Sequence, residues 1–359
     1  MNKPQKVLLI TCTLEPGSGG WGRYSIDLVS ALRNKGVKVI VHTIESPLSF
    51  KRHFFLGWWE AFKLYRKYKN DAFDVVHCAV EPYLFLTSIF AKMKGLKYVA
   101  TVHGTYAVLL MTRPIYGLFQ KYAYRNAAQI IAVSNYTKFR MGRYLRPENI
   151  VVIPNGFAST SKEISREGKR ESVILSVGGI KERKGYHLVI MALSKIKDKL
   201  GEFKYYIVGA EHDPIYAKHL RNLAKKEGME GNVVITGAVS PEKKESLYGE
   251  ARIFVLPSLS EGLHFEGFGL VYLEASAHGL PAIGCLDSGA EDAIKNSETG
   301  FLVPQGDIRA LAGAILKLFE DKELAERMSG NGLRWAKNHD WNIIVSNYIE
   351  TYDSVIKNV

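Results

Sequence analysis

Cysteine is scarce. Cys12, Cys78 and Cys285 are the only three in 359 residues, and no two share a metal-type or disulfide-type spacing. A disulfide framework and a cysteine-clustered metal are thereby excluded, and a reducing cytosol is the compartment expected. Long apolar runs are missing as well. No stretch reaches the ~18 residues of a membrane span. The amino-terminal apolar core, Val7 to Ile10, runs straight into polar residues, as a first strand does and a signal peptide does not. D-x-D, H-x-x-x-H and Cys/His clusters are lacking, so no metal site and no metal cofactor are expected. No short-period repeat or low-complexity tract interrupts the chain. Acidic residues are few in one half only. Residues 1–157 carry 22 Lys and Arg against 8 Asp and Glu, an excess of +14, whereas the remainder stands at −2. Such asymmetry points either to an anionic partner for the first half (nucleic acid, anionic lipid or a phosphorylated substrate) or to mere solubility.

What is present is a regular alternation. The runs KVLLITC, VKVIVHT, DVVHCA, KYVATVH, QIIAVS and NIVVIP predict strands in the first half. SVILSVG, FKYYIVG, NVVITG, IFVLPS, PAIGC and GFLVP predict strands in the second. Amphipathic stretches such as Tyr24–Asn34 and Leu311–Phe319 lie between them, and Gly36 marks a helix stop. Strand then helix, repeated, predicts parallel sheets covered by helices, an α/β class. The count suits two Rossmann-like, doubly wound domains. The polar segment NGFASTSKEISREGKRES has no hydrophobic period and marks the boundary. The expected division is 1–157, a linker 158–172, a second domain 173–340, and a helix over 341–359 that packs back on the first domain.

Glycine draws attention at the start. Gly17-Ser18-Gly19-Gly20-Trp21-Gly22 spells G-x-G-x-x-G between an apolar run and an amphipathic one, with Glu45 further on. That is the outline of a dinucleotide fingerprint and of a nicotinamide-dependent oxidoreductase. Its register is poor, because Thr11 to Pro16 intervene where the first glycine should end the strand. The pair Gly19-Gly20 is better placed, just before the helix running to Leu32. In the second half, ILSVGGIKERKGYHLVIMAL sets Arg183 and Lys184 near a helix amino terminus, where two cations and free N–H groups suit an anion. A solvated surface turn is the plainer alternative. FVLPSLSEGLHFEGFGLVYLEASAHGLPAIG then carries Glu266, Gly267, Phe268, Gly269 and Glu274. Eight residues separate the two carboxylates, about two helical turns, which places them on one side. Gly267 and Gly269 admit a ligand close to the backbone. Glu274, between Leu273 and Ala275, needs a partner if buried, and a ribose diol would supply two donors.

These residues resemble the retaining nucleotide-sugar glycosyltransferases of the GT-B fold, family four (glycosyl transferases group 1). Glu266 and Glu274 meet that family's E-x7-E spacing within FEGFGLVYLEA…GLP. Gly19-Gly20, TVHGTY, AVSNYTK, VIPNG, the RKG turn and TGFLVP follow its order along nearly the whole chain. Two positions depart. Gly179 stands where the family often has arginine, with Arg183 the expected second cation, and the loop SGAED is one residue shorter than usual. The resemblance implies two domains facing each other across a cleft, with a nucleoside diphosphate sugar of GDP-mannose or UDP-glucose type bound by the second. It implies that Glu274 accepts ribose hydroxyls and that amides near Gly267, Phe268 and Gly269, with Arg183 and Lys184, hold the diphosphate. Gly19 and Gly20 make a closing contact to it. Glu266 binds sugar hydroxyls, and His103, ending YVATVH, binds them from the first domain. Transfer retains the anomeric configuration by front-face attack, and no cofactor is needed. A nucleotide-sugar epimerase of the same fold is the first rival.

The acceptor is expected on the first domain. In FKRHFFLGWWEAFKLYRKYKN, the aromatics Phe54, Trp58, Trp59 and Phe62 stand among Lys51, Arg52, Lys63, Arg66 and Lys67. Basic residues beside bulky aromatics suit an anionic lipid surface. A helix packed on the sheet with a solvated basic face is the competing expectation. The first predicts a cytoplasmic enzyme peripheral to the inner face of the cytoplasmic membrane, acting on a lipid or lipid-linked glycan. A nucleic-acid module has no recognisable motif here.

Overall fold

The structure, a computed structural model, describes residues 5–15, 19–44, 53–145, 148–157 and 172–357, with the side chains of 53–56 excluded. Of the expected linker 158–172, only Ser172 is among them. The chain divides into two compact units: Met1–Ala158 with His339–Val359, and Ser159–Asn338.

Unit 1 is built on one six-stranded parallel sheet: β1 (Lys6–Thr11), β2 (Lys38–Thr43), β3 (Val75–Cys78), β4 (Tyr98–Val102), β5 (Gln129–Ala132) and β6 (Ile150–Val152). Their spatial order is β2-β1-β3-β4-β5-β6. Val7, Leu8, Leu9 and Ile10 are fully buried. A parallel sheet covered on both faces needs such continuous apolar runs. β1 ends at Thr11 and the next helix, Gly20–Asn34, starts nine residues later. The dinucleotide register is therefore absent, and Gly22 is a buried helix residue.

The helix Trp341–Lys357 belongs to unit 1, and buried polar groups fix it there. Tyr24 Oη is hydrogen-bonded to Tyr348 Oη at 3.1 Å and to Thr101 Oγ1 at 2.9 Å. His77 joins Tyr352 Oη (2.7 Å) to Thr101 Oγ1 (2.8 Å) through its two ring nitrogens. Burial pulls the His77 imidazole down to about 3, so it bridges as a neutral ring. Gly156 admits the helix, since a Cβ there would lie 2.4 Å from the Trp341 ring.

Unit 2 repeats the plan with β7 (Val173–Val177), β8 (Lys204–Val208), β9 (Val233–Gly237), β10 (Ile253–Val255), β11 (Ala282–Cys285) and β12 (Gly300–Val303). The order is β12-β11-β10-β7-β8-β9, again all parallel. Chain direction across the sheet reverses between β7 and β10. In open α/β sheets the crevice beyond the carboxyl ends of two such strands is the place where ligands bind.

Candidate active site

The loops leaving β7 and β10 meet at that switch point. After β7 the chain passes Gly178-Gly179 and makes a 3-10 turn, Glu182–Lys184, closed by Gly185 in the left-handed region (φ 73°). Glycine is required at 185 twice over, because a Cβ there would also sit 2.2 Å from the Pro257 carbonyl oxygen. The close approach seats the turn on the end of β10 and brings its two cations to Glu266. Lys184 Nζ lies 2.5 Å from Glu266 Oε2, Arg183 Nη1 lies 3.8 Å from it, and Ser258 Oγ donates to it at 3.3 Å. Burial pushes the Glu266 carboxyl up, but Lys184 and then Arg183 outweigh it and hold the group below the usual carboxylate range. Burial draws Lys184 down against the pull of Glu266, and a contact this short keeps both charged. Arg183 Nη1 is buried and has no hydrogen-bond partner among the described residues. A guanidinium N–H left without an acceptor in the interior is costly, and an anionic oxygen would relieve it.

Glu266 is not on the helix. The helix begins at Leu270, with Gly269 as its left-handed cap (φ 84°), so the two-turn argument for pairing Glu266 with Glu274 fails. The spacing is instead a loop followed by one helical turn, and each carboxylate has its own partners. Glu274 is 6% exposed. Its Oε2 accepts from Tyr248 Oη at 2.9 Å and from Lys244 Nζ at 3.3 Å, both on the helix Pro241–Glu250. The partner that burial demanded is thus supplied from within the unit, by residues that nothing local to Glu274 announces. Phe268 is buried, and Gly267 receives the close approach of Gly289.

At Gly179, which by the resemblance stands where the family often has arginine, a Cβ would lie 2.6 Å from His212 Cδ2 and 3.1 Å from Nε2. The imidazole from the loop after β8 therefore stands over this position. Arg183 is engaged with Glu266, as its proximity to Lys184 in sequence allowed.

In unit 1 the predicted residues also converge, at the carboxyl ends of β1 and β4. Gly19 caps the helix Gly20–Asn34 with φ 86°, and a Cβ on Gly20 would meet nothing within 4 Å. Trp21 packs on Tyr106 (4.8 Å between centroids) and Tyr24 packs edge-on against His103 (4.4 Å). His103 Nε2 lies 2.8 Å from the Ala79 carbonyl oxygen. A carbonyl only accepts, so Nε2 carries the proton and Nδ1 is left as an acceptor, fit for a hydroxyl donor. Burial lowers this imidazole to about 4, so it is neutral.

The helix His53–Tyr68 buries Gly57, Ala61, Leu64 and Tyr68. Trp58, Trp59 and Phe62 face outward, at 51%, 56% and 44% exposure. Lys63 is tied to Glu60 at 2.9 Å and lies over the Trp59 ring. Arg66 and Lys67 are exposed in the last turn. Lys51, Arg52, the side chain of Phe54, Gly17 and Glu45 lie outside the described residues. Among the described residues no helix is long and apolar enough to cross a membrane.

Two families account for most of the chain. Residues 18–159 match Glycosyltransferase Family 4 and residues 158–335 match Glycosyl transferases group 1. A GDP-mannose-dependent alpha-(1-6)-phosphatidylinositol monomannoside mannosyltransferase of Mycolicibacterium smegmatis is 27% identical over 76% of this chain and 74% of its own length. A glycosyltransferase structure from Rickettsia africae ESF-5 superposes with a TM-score of 0.80 at 22% identity, covering 99% of this chain and all of that one. The Anabaena protein Alr3699/HepE, solved in complex with UDP and glucose, has a TM-score of 0.76 at 20% identity, covering 98% of this chain and all of its own.

Proposed function

Because the chain belongs to the family-four glycosyltransferases of the GT-B fold, we propose that it moves a hexose from a nucleoside diphosphate sugar to an acceptor hydroxyl with retention of configuration. The observation that carries this is the half-buried cation pair at the switch point of unit 2, in which the buried Arg183 Nη1 has no hydrogen-bond partner among the described residues. In the reaction the bond from the anomeric carbon to the leaving phosphate breaks on the face where the acceptor oxygen bonds. The acceptor proton passes to a phosphate oxygen, and the nucleoside diphosphate departs. Negative charge grows on that diphosphate, and cations already in place stabilise it without reorganisation. Glu266 holds these cations now, so a diphosphate competes for them and releases the carboxylate to sugar hydroxyls. Glu274, with Lys244 and Tyr248, takes the ribose diol. His103 Nδ1 accepts a sugar hydroxyl.

The donor is of GDP-mannose or UDP-glucose type, and a thermal-shift comparison separates the bases. A ligand at a hundredfold its Kd stabilises the native state by about 2.7 kcal/mol. One of GDP and UDP is expected to raise the unfolding midpoint far more than the other. Glu274→Ala should weaken that response about tenfold or more, through lost hydrogen bonds to the ribose. An undiminished response would remove Glu274 from the nucleotide site. Product analysis with an acceptor present distinguishes transfer from epimerisation, which would yield an isomerised donor and no glycoside.

The acceptor in this proposal is a lipid or lipid-linked glycan, met by a protein peripheral to an anionic membrane. The outward aromatics of His53–Tyr68, the +14 excess of residues 1–157 and the lipid named for the Mycolicibacterium relative support it. The chain should co-sediment with anionic vesicles, and Trp58→Ala with Trp59→Ala should reduce pelleting about tenfold, as loss of two interfacial anchors implies. Equal pelleting with neutral and anionic vesicles would remove the electrostatic part.

A further inference from the structure

Glu81 is a carboxyl that the proposed reaction does not use and the interior does not satisfy. It begins the 3-10 turn Glu81–Tyr83 just after β3 and is 1% exposed. Its Oε1 accepts the backbone N–H of His103 at 2.5 Å. Its Oε2 is buried with no hydrogen-bond partner among the described residues, and the same holds for Gln120 Oε1 and the Tyr124 hydroxyl. The three form one cluster. Gln120 Nε2 donates to the Glu81 carbonyl oxygen at 3.0 Å, and, beyond burial, the charge of Glu81 raises the Tyr124 phenol while the polar side chain of Gln120 lowers it.

Among the described residues, the titratable groups around Glu81 are Cys78 from β3, Tyr83 from its own turn, Tyr116 and Tyr124 from the helix Tyr116–Asn126, and His103 from the loop after β4. Burial pushes the Cys78 thiol up to about 12, raises the three phenols, and lowers His103 to about 4. None is a cation near neutral pH. Burial lifts the Glu81 carboxyl to about 7 against the backbone N–H groups of His103 and of Glu81 itself, which favour the charged form.

A carboxylate and an amide oxygen are both acceptors and cannot serve one another, whereas a carboxylic acid can donate to the amide oxygen. With its proton, Glu81 Oε2 can serve Gln120 Oε1 while Oε1 keeps the His103 N–H. Once ionised, Oε2 needs a donor. It can get one by drawing in the Tyr124 hydroxyl, or by turning the Gln120 amide over and so releasing the Glu81 carbonyl. Either change moves the turn that holds His103.

We infer that Glu81 is a positioning residue that fixes His103 as a neutral carboxylic acid, and that its ionisation displaces the His103 loop and lowers transfer. The second clause rests on the role of His103 in the proposed glycosyl transfer; the first does not. The test begins with a readout that needs no turnover. In protein labelled with 15N-histidine, the His103 amide resonance should titrate with a midpoint of about 7 and should stay flat in Glu81→Gln. Turnover at saturating donor should fall about tenfold from about pH 6 to about pH 8.5 in the wild type. Glu81→Gln, which keeps an acceptor for the His103 N–H, should hold its acid-side turnover across that range. Glu81→Asp, one methylene too short to reach, should lose turnover about tenfold with an unchanged donor KM. A flat His103 amide in the wild type overturns the inference, and so does a pH limb that survives in Glu81→Gln. If Glu81→Gln fails to fold, the wild-type amide titration still decides. A titrating amide in a protein that glycosylates nothing would refute the transfer and leave the Glu81–His103 coupling standing.

Discussion

Lys184→Ala should lower turnover by about 10²–10³, the loss typical when one preorganised charge-stabilising donor is removed from a transition state. The effect is large because Lys184 is nearly enclosed, with a side chain 14% exposed, and its ammonium has a defined counter-ion 2.5 Å away in Glu266. That counter-ion complicates a single substitution. Without Lys184, Glu266 keeps only Ser258 and the more distant Arg183 among the described residues, and a largely enclosed carboxylate stripped of its partner costs about 3 kcal/mol or more. Loss of activity could then be read as loss of fold. The double variant Lys184→Ala with Glu266→Gln separates the two. It removes the stranded charge, so its unfolding midpoint should return toward that of the wild type while turnover stays low. Circular dichroism melts and single-turnover rates on the four proteins of the cycle measure both. If the double variant recovers turnover along with stability, Lys184 is a structural counter-ion and the phosphate role assigned to it is wrong.

The sheets were legible because their chemistry is local. Each of the twelve strands is a short apolar run, and strands such as Val173–Val177, buried along their whole length, have no polar alternation to blur them. The cations were legible for a similar reason: Arg183 and Lys184 follow a glycine turn in sequence as they do in space. What could not be read is what long-range packing decides. Tyr248 reaches Glu274 across 26 positions and Lys244 does so across 30. Glu81 reaches His103 across 22 positions. His212 stands over Gly179 only because the loops after β7 and β8 lie side by side. The pairing of Glu266 with Glu274 failed for a different reason. A residue in the left-handed region at Gly269 separates loop from helix, and a spacing count assumes one continuous helix. The charge asymmetry was plain in the composition. Which helix face carried exposed aromatics was not, since Gly57 and Ala61 form the buried stripe and neither advertises a core position as a leucine does.

The loop SGAED carries the second large expectation. Gly289 has an ordinary helical conformation (φ −65°), so its glycine is not explained by backbone angle. Space explains it. A Cβ at 289 would lie 2.2 Å from the Gly267 carbonyl oxygen, 2.3 Å from its carbon and 2.5 Å from the Phe268 nitrogen. These are backbone atoms, which cannot swing aside as the end of a side chain can. Gly289 N–H also donates to the Glu266 carbonyl at 2.8 Å, tying the loop to the residue that holds the cations. Gly289→Ala must therefore separate the two loops and move Glu266, Gly267 and Phe268 together. Overpacking of this kind costs about 1–3 kcal/mol. A displacement of the order of 1 Å at a reacting centre costs about a hundredfold in rate. The expected outcome is a modestly lowered unfolding midpoint with turnover reduced about a hundredfold, and weakened binding of the nucleoside diphosphate. Gly313→Ala is the matched control. It lies in the helix Ile308–Glu320, a Cβ there would meet nothing within 4 Å, and alanine should stabilise it by up to about 1 kcal/mol with turnover unchanged. Turnover within twofold of wild type in Gly289→Ala would show that the Glu266 loop need not be held by this contact. The donor site would then be set by the 3-10 turn Glu182–Lys184 alone.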